Sequence, residues 1–159
     1  MGERKSPLSE MPVSRGQDWW DHWFLSLAWV ISTASKDPST KVGAVLVGKD
    51  NRNIAHGYNG FPRGITDDIR LLDRPRKYQL VIHAEQNALD NALFQIDGST
   101  LYCTMHPCMA CAKAIVSRRV KRVVTPPIPS IETGRWTEEI PLASQLLQEA
   151  GIQWTRIGE

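Results

Sequence analysis

The sequence lacks the features of membrane, exported and disulfide-bonded proteins. It contains no run of about 18 apolar residues, which a membrane-spanning helix needs. Its first fifteen residues lack the apolar core of a secretory signal, so we expect residues 1–15 to form a flexible tail and residues 16–159 to form one domain. Three cysteines cannot complete a disulfide framework, and in a chain without an export signal they indicate a reducing, cytoplasmic location.

The chain also lacks a strong charge of either sign. Its 19 basic and 17 acidic residues give a net charge of +2, which is too small to predict nucleic acid or a membrane surface as a partner. A small anionic ligand stays compatible with this charge, because a local cluster of basic residues is enough to bind it. With 159 residues, 42% of them hydrophobic, the chain has the size and apolar content of one compact domain.

Hydrophobic periodicity divides the chain into alternating strands and helices. Residues 19–35 predict a helix, capped at Ser14 or Asp18, with an apolar stripe that faces the core and comprises Trp20, Trp23, Phe24, Leu27, Ile31 and Ala34. Strands are predicted at 42–47, 54–58, 100–104, 120–125 and 152–157, and further helices at 84–94, 108–117 and 142–150, the last of them capped by Gly151. Irregular connections are predicted after the second strand, through Lys77, and at 126–137. This order predicts a three-layer α/β domain.

One pair of short motifs has the residues of a metal site. His83-Ala84-Glu85 stands at the start of one predicted helix, and Cys108 and Cys111 stand three residues apart at the start of another. The unpaired N–H groups and the dipole of a helix start favour thiolate over thiol, which is the form that binds metal. Two thiolates and one imidazole are three ligands that suit zinc in a tetrahedral catalytic site, where water takes the fourth position.

Glu85 distinguishes a catalytic site from a structural one. It follows His83 by two positions, about 200° around an ideal helix, which is a poor spacing for two ligands of one metal. At a helix start, however, this carboxylate can reach the fourth position and transfer protons there. Two alternatives remain open at this point: a redox-active Cys-x-x-Cys pair, and a closed zinc site with His106 as the fourth ligand. Cys103 lies in an apolar strand and is interpreted as a buried small hydrophobe.

The motif His-x-Glu with Pro-Cys-x-x-Cys resembles the zinc-dependent cytidine and deoxycytidylate deaminase superfamily. The stretches 37–45 (DPSTKVGAV), 57–64 (GYNGFPRG), 73–78 (DRPRKY) and 83–88 (HAEQNA) are similar to those of the deoxycytidylate (dCMP) deaminases in particular. The resemblance implies a three-layer α/β/α fold with a central five-stranded mixed sheet, and one zinc ion per chain.

The same resemblance implies a reaction, the hydrolysis of dCMP to dUMP and ammonia, which feeds dTMP synthesis. In the mechanism that the resemblance implies, zinc-bound hydroxide is expected to attack C4 of the cytosine, while Glu85 takes the water proton, protonates N3 and assists the departure of ammonia. By the same analogy, the backbone N–H of Ala84 is expected to hold the base carbonyl O2.

A nucleotide substrate also needs donors for its phosphate and sugar. The candidate residues precede the first strand: Lys36, Ser39, Thr40 and Lys41. The alternative is that these lysines are ordinary solvated side chains.

The glycine-rich loop after the second strand predicts a second nucleotide site. Its glycines allow a ligand to approach the backbone closely, Asn59 offers an amide, and Arg63 can pair with phosphate. The resemblance implies an allosteric site here that binds activating dCTP and inhibiting dTTP, with Mg²⁺ near Asp67 and Asp68, in a homohexamer. The residues assigned to this site are Gly57, Tyr58, Asn59, Gly60, Phe61, Arg63, Gly64 and Asp67. The alternative is a turn whose glycines serve only its own geometry.

Two other functions compete with this interpretation. A deaminase that acts on tRNA or single-stranded nucleic acid has the same zinc motif but needs a more basic surface and aromatic stacking platforms. A zinc-binding module without enzymatic activity has no use for a proton-transferring Glu85. We therefore expect small nucleotides as ligands, and neither nucleic acid nor a membrane as a partner.

Overall fold

The computed structural model describes residues 15–128 and 136–158. Within these ranges the chain forms five α-helices, five strands and a 3₁₀ turn at Ile69–Leu71. No helix in these ranges is long and apolar enough to cross a bilayer. In chain order the elements are α1 (Gln17–Ser32), β1 (Gly43–Val47), β2 (Ile54–Tyr58), α2 (Arg74–Leu80), α3 (Ala84–Asp90), β3 (Thr100–Cys103), α4 (Met109–Ser117), β4 (Arg122–Thr125), α5 (Trp136–Glu149) and β5 (Gln153–Arg156).

The strands form one mixed sheet in the order β2-β1-β3-β4-β5. β1 pairs with β2 and β3 in the antiparallel sense, whereas the β3–β4 and β4–β5 pairs are parallel. The two parallel connections each run through a helix, α4 and then α5, as parallel pairing requires. The predicted five-stranded mixed sheet is therefore confirmed.

Alternate side chains of the central strands point to two separate hydrophobic cores. One core joins Leu46, Leu101 and Val123 to α3, α4 and α5. The other joins the neighbouring residues on the same strands, among them Val45 and Tyr102, to α1. Because successive residues of a strand face opposite sides of a sheet, this pattern places α1 on one face and α3 to α5 on the other. The predicted three-layer arrangement is confirmed.

Helix α1 buries most of the apolar stripe that the sequence suggested: Phe24 is buried, and Trp20, Leu27 and Ile31 are partly buried against the core. Its buried apolar side chains are Phe24, Leu25 and Ala28, whereas Trp23 is 37% exposed. Asp21 is also buried, because its carboxylate accepts hydrogen bonds from the Tyr102 hydroxyl and the Arg122 guanidinium. The predicted stripe was wrong for Trp23 and Ala34, which are exposed. The buried face of α1 includes the charged Asp21 as well as apolar side chains.

The first residues of α1 and the ends of several other elements differ from the predictions. The N-cap of α1 is Gly16, and Asp18 lies in the first turn; Ser14 lies outside the described residues. Helix α3 ends at Asp90 rather than continuing to Phe94. Helix α5 begins at Trp136 and contains Pro141, although the sequence placed its start after that proline. Gly151 has the positive φ of 73° expected of a left-handed cap.

The connection after β2 is more ordered than predicted. It contains the 3₁₀ turn and then α2, whose N-cap Asp73 accepts a hydrogen bond from the backbone of Arg76. Pro75 stands in the first turn of α2, where its missing N–H costs nothing. Most of the second predicted connection, at 126–137, lies outside the described residues, as does nearly all of the predicted tail at 1–15.

Helix α3 packs unusually closely on the edge strand β2. A Cβ atom at Gly57 would lie 2.4 Å from the backbone nitrogen of Ala88 and 2.6 Å from the carbonyl oxygen of Ala84. Asn87 of α3 and Asn91, the C-cap of that helix, donate side-chain hydrogen bonds to carbonyl groups of β2. These contacts hold the start of α3 at a fixed height above the sheet, and that start carries the candidate metal site.

Candidate active site

The N-termini of α3 and α4 meet on the same face of the sheet. His83 is the N-cap of α3 and Cys108 is the N-cap of α4, and both have extended backbone angles before their helices begin. Cys111 lies one turn into α4, and its backbone N–H approaches the Cys108 sulfur at 3.5 Å. The local reason for this geometry is that an N-cap side chain points back over the first turn of its own helix.

The three predicted ligands come together at one point. The Nδ1 atom of His83 lies 3.3 Å from the sulfur of Cys108 and 3.4 Å from the sulfur of Cys111. All three donor atoms lie within 4.8 Å of one another. Around a tetrahedral zinc, with bonds of about 2.3 Å to sulfur and about 2.0 Å to nitrogen, nitrogen and sulfur ligands stand about 3.5 Å apart. The donor set and its spacing therefore fit zinc.

The hydrogen bond between the two cysteine side chains changes the pKa of both thiols. Hydrogen bonding from Cys111 lowers the pKa of the Cys108 thiol, and His83 lowers it further. The same bond to Cys108 raises the pKa of Cys111, and burial adds to this rise. One of the two sulfurs thus accepts a hydrogen bond from the other. A metal ion that replaces the shared proton converts both sulfurs to thiolates.

Glu85 is the buried carboxylate of the site. It is only 3% exposed and lies in the first turn of α3. Burial raises its pKa to about 7, while its own backbone N–H and His83 act in the opposite direction. A carboxyl group with such a pKa accepts and donates protons near neutral pH.

Two neighbouring residues are not ligands. Cys103, at the end of β3, is fully buried, as predicted. Burial raises the pKa of its thiol well above the usual range, and Glu85 adds to this rise, so Cys103 stays protonated. His106 lies outside the cluster of metal-binding side chains found among residues 15–128 and 136–158. The alternative of a closed site with His106 as the fourth ligand is therefore not supported.

The predicted substrate loop is organised around a buried ion pair that the sequence analysis missed. One oxygen of Asp37 accepts hydrogen bonds from the backbone of Ser39 and Thr40, at 2.8 and 3.1 Å, and from the Ser39 hydroxyl at 2.9 Å. The ammonium group of Lys77, from α2, lies 3.1 Å from the same oxygen and 2.6 Å from the Ser39 hydroxyl. Both charged side chains are 5% exposed. Their separation of forty positions in the chain left no local signal for this contact.

The two predicted loops are directly connected. The amide oxygen of Asn59 accepts from the backbone of Val42 at 2.8 Å, and its amide nitrogen donates to the carbonyl of Thr40 at 2.9 Å. Lys36 forms an exposed ion pair with Asp67 at 2.7 Å. Asn59 is 6% exposed and thus supports the substrate loop from within, rather than standing open to a ligand.

The remaining residues of the glycine-rich loop differ in their surroundings. Gly60 forms an isolated antiparallel bridge with Ile82, the residue before His83. Gly64 has a φ of 87° and no atom near its missing Cβ, so its conformation favours glycine. Phe61 lies under the Arg70 guanidinium, and Tyr58 and Arg63 are exposed. We expected the glycines to let a ligand approach the backbone closely. At Gly57 it is helix α3 that makes this close approach.

Lys41 and Asp68 also have partners within the chain. The Lys41 ammonium group donates to the carbonyl of Ser35. Asp68 accepts from the side chain of Arg70 at 2.8 Å and caps the 3₁₀ turn. Ala84, whose backbone N–H is the predicted contact for the base carbonyl, is fully buried beside the metal ligands. The roles assigned to these residues stay predictions.

A three-ligand metal site beside a buried carboxylate is the arrangement of zinc-dependent hydrolases. Fold and site together point to that class.

Comparison with known proteins narrows the class. A sequence profile for the cytidine and deoxycytidylate deaminase zinc-binding region matches residues 18–126. An uncharacterised deaminase of Aliivibrio fischeri is 35% identical over 136 residues, which cover 86% of this chain and 92% of that protein. Human deoxycytidylate deaminase is 34% identical over 126 residues, which cover 74% of this chain and 71% of that protein.

A solved structure agrees with these sequence relationships. The dCMP deaminase of cyanophage S-TIM5, in complex with dCMP and dUMP, is 30% identical and superposes with a TM-score of 0.72, covering 91% of this chain and 100% of that chain. The chain therefore belongs to the cytidine and deoxycytidylate deaminase family of zinc-dependent enzymes.

Proposed function

We propose that this chain hydrolyses dCMP to dUMP and ammonia. The observation that carries the proposal is the convergence of His83, Cys108 and Cys111 beside Glu85 at two helix N-termini. The named human and cyanophage relatives are dCMP deaminases, and the cyanophage enzyme is seen with dCMP and dUMP. Because the product dUMP is a precursor of dTMP, we assign the reaction to dTMP synthesis.

The residues of the site have separate tasks in this reaction. His83, Cys108 and Cys111 would hold a zinc ion, which would supply Lewis-acid activation of the attacking water. Glu85 takes one proton from the attacking water and transfers it to N3 of the base. It then assists the departure of ammonia from C4, so that one water is consumed for each ammonia released. The backbone N–H of Ala84 holds the carbonyl O2 of the base.

A comparison of three substrates tests this proposal. Zinc-loaded protein is incubated with dCMP, cytidine or a tRNA, and ammonia release is measured. We expect turnover of dCMP, weaker turnover of cytidine because it lacks the phosphate, and none of tRNA. Turnover of tRNA alone would assign the chain to nucleic-acid deamination, and turnover of none of the three would contradict the proposal. The Glu85→Gln variant, prepared in parallel, is the control for contaminating deaminases.

We assign the substrate phosphate and sugar to the loop that contains Lys36, Ser39, Thr40 and Lys41. The loop is exposed at these residues and is held from below by Asp37 and Asn59. Lys36→Ala and Lys41→Ala are expected to raise KM for dCMP more than KM for deoxycytidine, since only dCMP has the phosphate. An equal effect on both substrates would remove these lysines from the phosphate site.

We further propose that dCTP activates and dTTP inhibits the enzyme, with Mg²⁺, through the loop after β2. The support is that Gly60 bridges to Ile82, next to His83, and that Lys36 pairs with Asp67 across the two loops. The assay is ammonia release from dCMP with dTTP, with dCTP and with both, at fixed Mg²⁺. We expect inhibition by dTTP and its relief by dCTP. Activity that responds to neither nucleotide would refute the regulation while leaving the reaction intact.

We also propose that residues 16–159 act as one domain after a tail at 1–15, bind one zinc per chain and assemble into a hexamer. Several large apolar side chains are highly exposed in the single chain, including Val30, Ile69, Leu72 and Leu93. These exposed apolar side chains are available for burial between subunits. Sedimentation equilibrium measures the assembly directly, and a monomer would contradict it. All three cysteines are free, which agrees with the reducing cytoplasm we propose as its location.

A further inference from the structure

A carboxylate from α5 contacts the first turn of the helix that carries both cysteine ligands. One oxygen of Glu139 accepts the backbone N–H of Met109 at 2.9 Å. Met109 is the first residue of α4 and directly follows Cys108. The sulfur of Cys108 accepts a hydrogen bond from the backbone N–H of Cys111. Glu139 and Cys108 together therefore satisfy two of the N–H groups that a helix start leaves unpaired.

The position of Glu139 is fixed by the packing of its helix. The next residue, Ile140, is 3% exposed, and Ala143 and Leu147 of the same helix are buried in the core that α4 also enters through Ala112. Helix α5 therefore cannot shift along α4 without opening this core. The carboxylate is thus held against the start of α4 by the apolar contacts beneath it.

We propose that Glu139 is a positioning residue of the metal site, which holds the first turn of α4 so that the sulfurs of Cys108 and Cys111 both face His83. This inference rests on the metal site of the proposed function. When the first turn of α4 is already anchored in the zinc-free protein, the two cysteines have less conformational freedom to lose on binding zinc. Residues that orient metal ligands in this way change metal affinity by about 10- to 100-fold when they are replaced.

The hydrogen bond, rather than the charge of Glu139, has this effect. A carboxylate near the site repels the two thiolates but attracts the zinc cation, so the effect of its charge has to be measured separately from that of its hydrogen bond. Three variants separate the two terms. Glu139→Ala removes bond and charge, Glu139→Asp keeps the charge but shortens the reach, and Glu139→Gln keeps an acceptor without the charge. Glu138→Ala is the matched control, because Glu138 is an exposed acidic residue in the same turn.

The test measures the zinc dissociation constant by competition with a chromogenic chelator at fixed pH. We expect Glu139→Ala and Glu139→Asp to raise this constant by about 10- to 100-fold. A neutral hydrogen bond is about half as strong as a charged one, so Glu139→Gln is expected to stay within about fivefold of the parent. Glu138→Ala is expected to match the parent.

Two results would overturn the inference. One is a zinc dissociation constant of Glu139→Ala or Glu139→Asp equal to that of Glu138→Ala. The other is a loss in Glu139→Gln as large as in Glu139→Asp. Where Glu139→Ala fails to fold, the comparison of the Asp and Gln variants decides alone, with circular dichroism of the zinc-free proteins to confirm equal helix content. Parent protein that binds zinc tightly without deaminating dCMP would contradict the proposed function but leave this inference standing.

Discussion

Replacing Asp37 with alanine removes the acceptor that shapes the predicted substrate loop. Three donors from Ser39 and Thr40 lose their partner, and the Lys77 ammonium group is left 5% exposed without a counter-charge. Removing one partner of a buried ion pair costs about 3–5 kcal/mol, because the other charge stays buried. For a chain of this length each kcal/mol corresponds to about 2–4 °C, so we expect the melting temperature to fall by about 6–20 °C.

A double-mutant cycle with Lys77→Met tests the reason for this loss. Lys77→Met leaves Asp37 with its three other donors, so it should cost less than Asp37→Ala. The double variant no longer buries an unpaired charge, and its loss of unfolding free energy should fall short of the sum of the single losses by about 1–3 kcal/mol. Urea unfolding of the zinc-loaded proteins supplies these energies. Additive losses, or a loss below about 1 kcal/mol for Asp37→Ala, would refute the reasoning.

The Asp37–Lys77 ion pair also predicts how the unfolding free energy changes with pH. Burial alone would raise the pKa of Asp37, but the hydrogen bonds from Ser39, Thr40 and Lys77 outweigh it and hold that pKa below its ordinary value of 3.8. A carboxyl with a lowered folded pKa stabilises the protein above 3.8, and this contribution disappears as the pH falls through the folded value. The difference in unfolding free energy between parent and Asp37→Asn should therefore be constant near neutral pH and shrink below pH 3.8. A difference that grows on acidification would contradict the lowered pKa.

Three further changes have defined outcomes. Glu85→Gln should retain one zinc per chain by atomic absorption and lose about 10²- to 10⁴-fold in turnover of dCMP; full activity would remove its proton-transfer role. Gly57→Ala should lower the unfolding free energy by about 1–3 kcal/mol, because the new methyl group meets the backbone of α3 at 2.4 Å; an unchanged urea midpoint would refute that contact. Asp21→Ala should cost about 3–5 kcal/mol in the same assay, since Arg122 and Tyr102 lose their shared acceptor; a loss below about 1 kcal/mol would contradict this.

The metal site was predictable from sequence because its signals are local. His83 and Glu85 are two positions apart, Cys108 and Cys111 are three apart, and both pairs stand at helix starts whose geometry is nearly invariant. The alternation of apolar strands and helices likewise predicted the sheet and its layers. The distance between the two helix starts could not be predicted, because it depends on how α3 and α4 pack on the sheet.

The missed features depend on contacts between distant residues. The Asp37–Lys77 pair and the Glu139–Met109 bond join positions that no periodicity connects. Helix α2 was missed because it lacks an apolar stripe, although Asp73 followed by Pro75 is a signal for a helix start that was present. Helix α5 was predicted too short because a proline inside a helix is rare; in the turn before Pro141, Glu139 accepts a hydrogen bond from Met109 of α4.

The most direct test of the account is a zinc titration of the metal-free protein with dCMP deamination as the readout. We predict that ammonia release is absent without zinc, rises in proportion to added zinc and saturates at one equivalent per chain. Deamination that is independent of zinc, or full loading of the site without any release of ammonia from dCMP, would contradict the account.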